Sequence, residues 1–150
     1  MQYVIGIDLG TSAVKVLLVN REGTIQGEVS KEIHLIQESS GYSEQDPEEW
    51  VDQTIHALTE LVAQSGIDPN QVEGISFSGQ MHGLVLLNHE HEVIRNAILW
   101  NDTRTTEQCL HIENVLGEKL LQITKNPALE GFTLPKLLWV KEHEAERFRE

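Results

Sequence analysis

An α/β fold, a mixed sheet with flanking helices, is predicted from three observations. Residues 3–34 hold three strand signals joined by tight turns. Residues 47–65 repeat apolar side chains at helical spacing, and a further strand follows over residues 72–78. The resulting order, βββαβ, is that of a sheet with helices packed on it rather than a bundle or an all-β sandwich.

The first strand runs from Tyr3 to about Asp8 and the second from about Val14 to Asn20, separated by Gly10-Thr11-Ser12. Asn20-Arg21-Glu22-Gly23 turns the chain into a third strand over about residues 24–34, with Gly27 placed for a bulge. Residues 39–45 read as loop. Asp46-Pro47 then starts a helix, with Glu48 and Glu49 at the positive end of its dipole. Trp50, Val51, Ile55, Leu58, Leu61 and Val62 form its apolar side, and Gly66 stops it. After the strand at 72–78 a hairpin is expected, with arms 84–87 and 93–99 around the turn 88–92. A helix is expected from Thr103, a loop at Asn126-Pro127 and Gly131, and a last helix from about Pro135. The acidic stretch from Glu142 to Glu150 is expected as a solvated helix face.

At 150 residues the chain is one domain's worth, long enough to bury roughly two-thirds of its unfolded surface. Its formal charge of −13 excludes the basic footprint that nucleic acid or an anionic membrane requires. One cysteine, Cys109, cannot close an internal disulfide and suits a reducing compartment. The amino terminus has no basic segment and meets Asp8 too soon for a signal peptide. No apolar run has the roughly 18–20 residues of a membrane span. A cytoplasmic, soluble protein is the expectation.

The segment Gly6-Ile-Asp-Leu-Gly-Thr-Ser-Ala-Val-Lys15 carries the sharpest chemistry. Small residues at a strand-turn-strand bend let backbone N–H groups approach an anion. Gly10, Thr11 and Ser12 therefore read as a phosphate cradle, and Asp8 as a carboxylate able to hold a hydrated Mg²⁺. An ordinary hairpin turn is the plainer alternative. Lys15 adds a charge to the cradle or points to solvent. No Gly-Lys-Ser/Thr run opens a helix here, so the segment is not a Walker loop.

Ser78-Gly-Gln-Met-His-Gly83 ends a strand, where α/β proteins display ligand contacts. His82 suits a polyol as donor and acceptor, with Met81 as an apolar wall. The plain alternative is a connection with Met81 in the core. Trp100-Asn-Asp102-Thr-Arg104 likewise fits a sugar, with an aromatic face on the carbon skeleton and charged groups on hydroxyls. It fits equally well as a strand end with Asn101 or Asp102 capping a helix. Residues 131–136 open the last helix, where Pro135 is structural. The histidines other than His82 lack ligand spacing and read as solvated surface.

Taken together, the segments 5–12, 42–50, 78–83, 97–104 and 131–140 resemble the FGGY carbohydrate kinase family of the actin-like, Hsp70-like ATPase superfamily. Gln-Met-His-Gly followed by Trp-Asn-Asp is similar to the branch that phosphorylates D-xylulose. The resemblance implies a ribonuclease H-like mixed sheet and transfer of the ATP γ-phosphoryl to D-xylulose, giving xylulose 5-phosphate. It implies that Met81 and His82 contact the ketopentose and that Trp100, Asp102 and Arg104 shape its pocket. It also implies that Asp8 organises Mg²⁺ while Gly10, Thr11, Ser12 and Lys15 face the ATP phosphates. Family members are several times longer. Residues 1–150 are thus expected to be a truncated N-terminal domain, incomplete as a fold and lacking the C-terminal ATP-binding domain. No Gly-Gly-x-Asp-Asn-like segment occurs, so no catalytic base is assigned and the isolated chain is expected to be inactive. A missing final strand would leave an open sheet edge that favours a homodimer.

Other readings change the sugar to gluconate, ribulose or glycerol, or keep the phosphate turn in a non-catalytic actin- or Hsp70-type ATP-binding module. That module has no need of the Met-His and Trp-Asn-Asp-Thr-Arg segments. A pure sugar-binding domain is disfavoured by the phosphate turn.

Overall fold

A computed structural model describes residues 2–150. In chain order its elements are β1 (Tyr3–Leu9), β2 (Ala13–Asn20), β3 (Ile25–Glu32), β4 (Glu44–Gln45), α1 (Pro47–Ser65), β5 (Val72–Gly79), β6 (Ala97–Ile98), α2 (Thr106–Leu116), α3 (Glu118–Thr124), α4 (Thr133–His143) and α5 (Ala145–Arg149). They fall into two compact units, Met1–His34 with Glu48–Gln80 and Leu35–Pro47 with Met81–Glu150.

The first unit is a four-stranded sheet in the order β3-β2-β1-β5. The two hairpins make β1, β2 and β3 antiparallel, whereas α1 returns the chain so that β5 lies parallel to β1. Alternation decides which face is buried: Tyr3, Ile5, Ile7, Val14, Val16 and Leu18 pack with Ala57 and Leu61 of α1. The expected bulge exists. The β2–β3 register shifts between Leu18 and Val19, opposite Gly27. A Cβ on Gly27 would stand 3.0 Å from the Leu61 side chain, so α1 leaves no room there for a larger residue. Glu49 ties the exit of β3 to α1, accepting from the His34 backbone N–H at 3.1 Å and pairing with its ring at 2.5 Å.

The opposite face of the sheet carries Asp8, Lys15, Leu17, Ser76 and Ser78, which line a cavity of about 240 Å³ with Gly6, Ile7 and Phe77. At the free edge, β5 is exposed from Glu73 to Gly79, including Ile75 and Phe77.

The second unit departs from expectation in three places. The hairpin over 84–99 keeps its turn, with the Asn88 N–H donating to Glu92 O and the Ile94 N–H to Leu86 O. Its arms, however, are reduced to isolated bridges at Leu87–Val93 and Leu84–Ile98, and β6 pairs with β4 instead. Within the shortened arm the Arg95 side chain turns inward to Glu44 and Glu144. Residues 44–45, expected as loop, are strand. The helix from residue 103 starts only at Thr106 and breaks at Gly117 (φ +52), giving α3 as a separate element. The last helix also splits at Glu144, whose carboxylate is held by Arg95 and Arg147 and so is not part of a freely solvated face.

Candidate functional site

The predicted phosphate residues all lie at one end of the first unit. Asp8 is the penultimate residue of β1 and sits opposite Lys15 in register. Its Oδ1 accepts a 2.6 Å hydrogen bond from the Ser78 hydroxyl on β5. The bend is closed by the Gly10 N–H donating to Ala13 O at 3.0 Å, so that N–H is already engaged. A Cβ at Gly10 would meet Ala13 O at 3.0 Å, which explains the glycine by crowding. Ser12 is exposed beside it, and the Thr11 hydroxyl donates to Gln80 Oε1 at 3.4 Å. Lys15 is committed to Glu28 at 3.1 Å, which offsets much of the charge it would offer an anion.

A hydrated cation is compatible with this geometry. Asp8 projects from the open face of the sheet into the cavity, its Oδ1 taken up by Ser78, with Ser76 alongside. Oxygen donors of this kind suit Mg²⁺, which keeps most of its waters.

The predicted sugar residues lie in the second unit and are gathered by a lysine that inspection of the sequence passed over. Met81 and Trp100 are exposed, at 58% and 43% of their surface. His82 lies between them in sequence and adopts φ 59°, in the left-handed region that few non-glycine residues enter. Its ring packs on Phe132 with centroids 4.8 Å apart. The Lys136 ammonium, wholly buried, donates to His82 O at 2.8 Å and to Gly131 O at 2.7 Å. Gly131 in turn lies against the Trp100 carbonyl, where a Cβ would approach to 2.9 Å. Lys136 thus joins the loops carrying residues 82 and 131, and the latter lies against the turn at Trp100.

Burial depresses the Lys136 pKa to about 8, with Asp102 favouring its charge and Arg104 opposing it. The signal in the sequence was spacing: Lys136 lies four residues before Val140, on the face of α4 that packs inward.

Asp102 and Arg104 sit together behind this surface. Asp102 is 1% exposed. Its Oδ2 accepts from the Ser43 backbone N–H at 2.7 Å, and its Oδ1 from the Arg104 backbone N–H at 3.0 Å. The Arg104 side chain, 2% exposed, forks onto the same carboxylate through Nη2 at 2.7 Å and reaches Glu44 at 2.7 Å. Its guanidinium lies 3.6 Å from the Tyr42 ring centre and 4.8 Å from that of Trp139. Burial alone would lower the Arg104 pKa, but the Asp102 and Glu44 carboxylates outweigh it and raise it. These two residues therefore brace the turn that presents Trp100. Of the two residues that complete the cluster, Glu44 lies in the segment 42–50 that carried the family resemblance, whereas Arg95 gave no signal in the sequence.

The β1–β2 bend with Asp8 lies in the first unit, and the loops around His82 and Trp100 lie in the second. Residues 3–150 match the FGGY family of carbohydrate kinases, N-terminal domain, and the chain belongs to that family. The xylulose kinase of Bacillus subtilis (strain 168) is 64% identical over 149 residues, covering 99% of this chain and 30% of the relative. A solved xylulose kinase from Lactobacillus acidophilus superposes with a TM-score of 0.91 at 31% identity, over 100% of this chain and 30% of that one. The gluconate kinase of the same organism superposes with a TM-score of 0.90, also at 31%, over 99% of this chain and 30% of that one. The chain spans about 30% of the length of these relatives. The mixed sheet with flanking helices is the actin-like ATPase fold of these sugar kinases, so family membership replaces the actin- or Hsp70-type module considered from the sequence.

Proposed function

We propose that this chain is the N-terminal domain of a D-xylulose kinase. Met81, His82 and Trp100 would contact the ketopentose, and Asp102 and Arg104 would hold the Trp100 turn in shape. Gly10, Thr11 and Ser12 would face the phosphates of ATP, with Lys15 contributing weakly because of Glu28, and Asp8 would hold Mg²⁺ through water. The observation that supports this most directly is that Lys136 holds the His82 and Gly131 loops together, with Gly131 packed against the Trp100 carbonyl. In the proposed reaction the terminal hydroxyl oxygen of the sugar attacks Pγ of ATP. The bond from Pγ to the β,γ-bridging oxygen breaks and ADP leaves. Bound Mg²⁺ would supply charge neutralisation on the phosphates. The hydroxyl proton needs a carboxylate base, and no residue of this chain is assigned to that role.

The gluconate kinase superposes as well as the xylulose kinase, so the backbone does not choose the sugar. The test is therefore a titration with D-xylulose and, in parallel, gluconate. Saturable xylulose binding is expected, weakened roughly tenfold by His82→Ala through loss of one ligand hydrogen bond. A coupled assay with Mg·ATP should show no turnover by this chain. Gluconate binding without a xylulose response would reassign the substrate, and turnover would place a base within these residues.

We propose a homodimer through β5, whose edge is unpaired in the sheet order and whose Ile75 and Phe77 are exposed. Sedimentation should show mass rising with concentration, and Phe77→Lys should abolish the rise. A monomer at every concentration would remove this proposal. A cytoplasmic setting is consistent with Cys109, a buried free thiol with no second cysteine to pair with. Among the described residues no helix is long and apolar enough to cross a membrane.

A further inference from the structure

We infer that Lys136 is a positioning residue for the sugar-contacting loop, holding residue 82 in the left-handed conformation that presents the His82 ring. The inference rests on the proposed role of His82 and extends it to a residue with no assigned function. Histidine enters the left-handed region more readily than most side chains, as exposed His91 does at φ 67°, but at residue 82 the conformation is tied to its neighbours. Three contacts tie it: Lys136 Nζ on its carbonyl at 2.8 Å, the Thr133 hydroxyl on the same oxygen at 3.3 Å, and Phe132 against its ring. Lys136 also fixes Gly131 O at 2.7 Å, so a single ammonium sets the spacing of two loops.

The choice of residue carries the argument further. A wholly buried lysine is costly, and an apolar side chain would fill this face of α4 without that cost. Among the described residues its ammonium makes no direct ion pair, although the Asp102 carboxylate favours its charge from farther away. Its two identified partners are main-chain carbonyls, those of His82 and Gly131. Such a group orients backbone, and the backbone it orients carries His82.

The test compares four forms of the chain: wild type, Lys136→Met, His82→Ala and the double variant. Xylulose affinity is measured for each, and the ³J(HN,Hα) coupling of residue 82 reports its φ. Lys136→Met should move that coupling away from the left-handed value and weaken xylulose binding roughly tenfold, the effect of one charge-assisted hydrogen bond. In the His82→Ala background it should cost no further affinity. Additive losses, or an unchanged coupling, would overturn the inference. If His82→Ala leaves affinity unchanged, the sugar-site proposal fails by itself, and the coupling still decides whether Lys136 holds residue 82. Should Lys136→Met not fold, the wild-type chain suffices: saturating xylulose should shift the Lys136 Nζ resonance together with the carbonyl carbon of residue 82. A silent Nζ would reject the role.

Discussion

Arg104→Met should destabilise the second unit by about 3–5 kcal/mol, the usual cost of removing one partner from a buried ion pair. The magnitude follows from what is stranded. Asp102 keeps its backbone donors but loses the forked guanidinium that neutralises it, and Glu44 loses one of its two arginines. The stack of Arg104 on Tyr42 and Trp139 disappears as well. Urea unfolding followed by far-UV circular dichroism gives the number. Arg104→Lys should recover only part of it, because an ammonium cannot fork onto the carboxylate or stack in the same way. A loss below about 1 kcal/mol for Arg104→Met would match an exposed pair instead and contradict the burial described above.

A second large effect is expected from pH. Lys136 has a folded-state pKa of about 8 against an ordinary value of 10.5. Below pH 8 both folded and unfolded chains carry the proton, and the folded chain bears the full cost of the buried charge. Between pH 8 and 10.5 the unfolded chain binds more protons, so the contribution of this group to stability rises with pH. At 1.36 kcal/mol per unit the swing is about 3 kcal/mol. The free energy of unfolding of the wild type minus that of Lys136→Met, measured from pH 7 to 10.5, isolates it from other titrations. A flat difference would mean that Lys136 is not buried in charged form. At neutral pH the Met variant loses donors to two carbonyls, at roughly 1–3 kcal/mol each, but escapes a burial cost of about 3 kcal/mol. The two largely offset, which is why the variant is usable as a probe.

The parts legible in the sequence were those with a period or a local rule. β1 and β2 follow alternation and turn chemistry, and Gly27 marks the bulge in β3. α1 runs between Pro47 and Gly66 as expected, but its packed side is Trp50, Ala57, Leu58 and Leu61, while Val51 and Ile55, assigned to it from the sequence, are exposed. What escaped was governed by partners distant in the chain. Arg95 reads as a hairpin residue in the sequence, and its burial against Glu44 and Glu144 depends on residues 51 and 49 positions away. Asp102 and Arg104 were legible as a motif, yet their burial depends on Ser43, Glu44, Tyr42 and Trp139. Lys136 looked like one charge among many on a helix. Only its carbonyl partners, one of them 54 residues away, separate it from surface lysines.

The path of the chain has its own consequence. It passes from one unit to the other three times, after His34, Pro47 and Gln80, so neither unit is a continuous stretch of polypeptide. No single cut can release an intact half. On the ribosome the first unit cannot complete its packing until Glu48–Gln80 has emerged, and Leu35–Pro47 waits longer still for the residues from Met81 onward that it packs with.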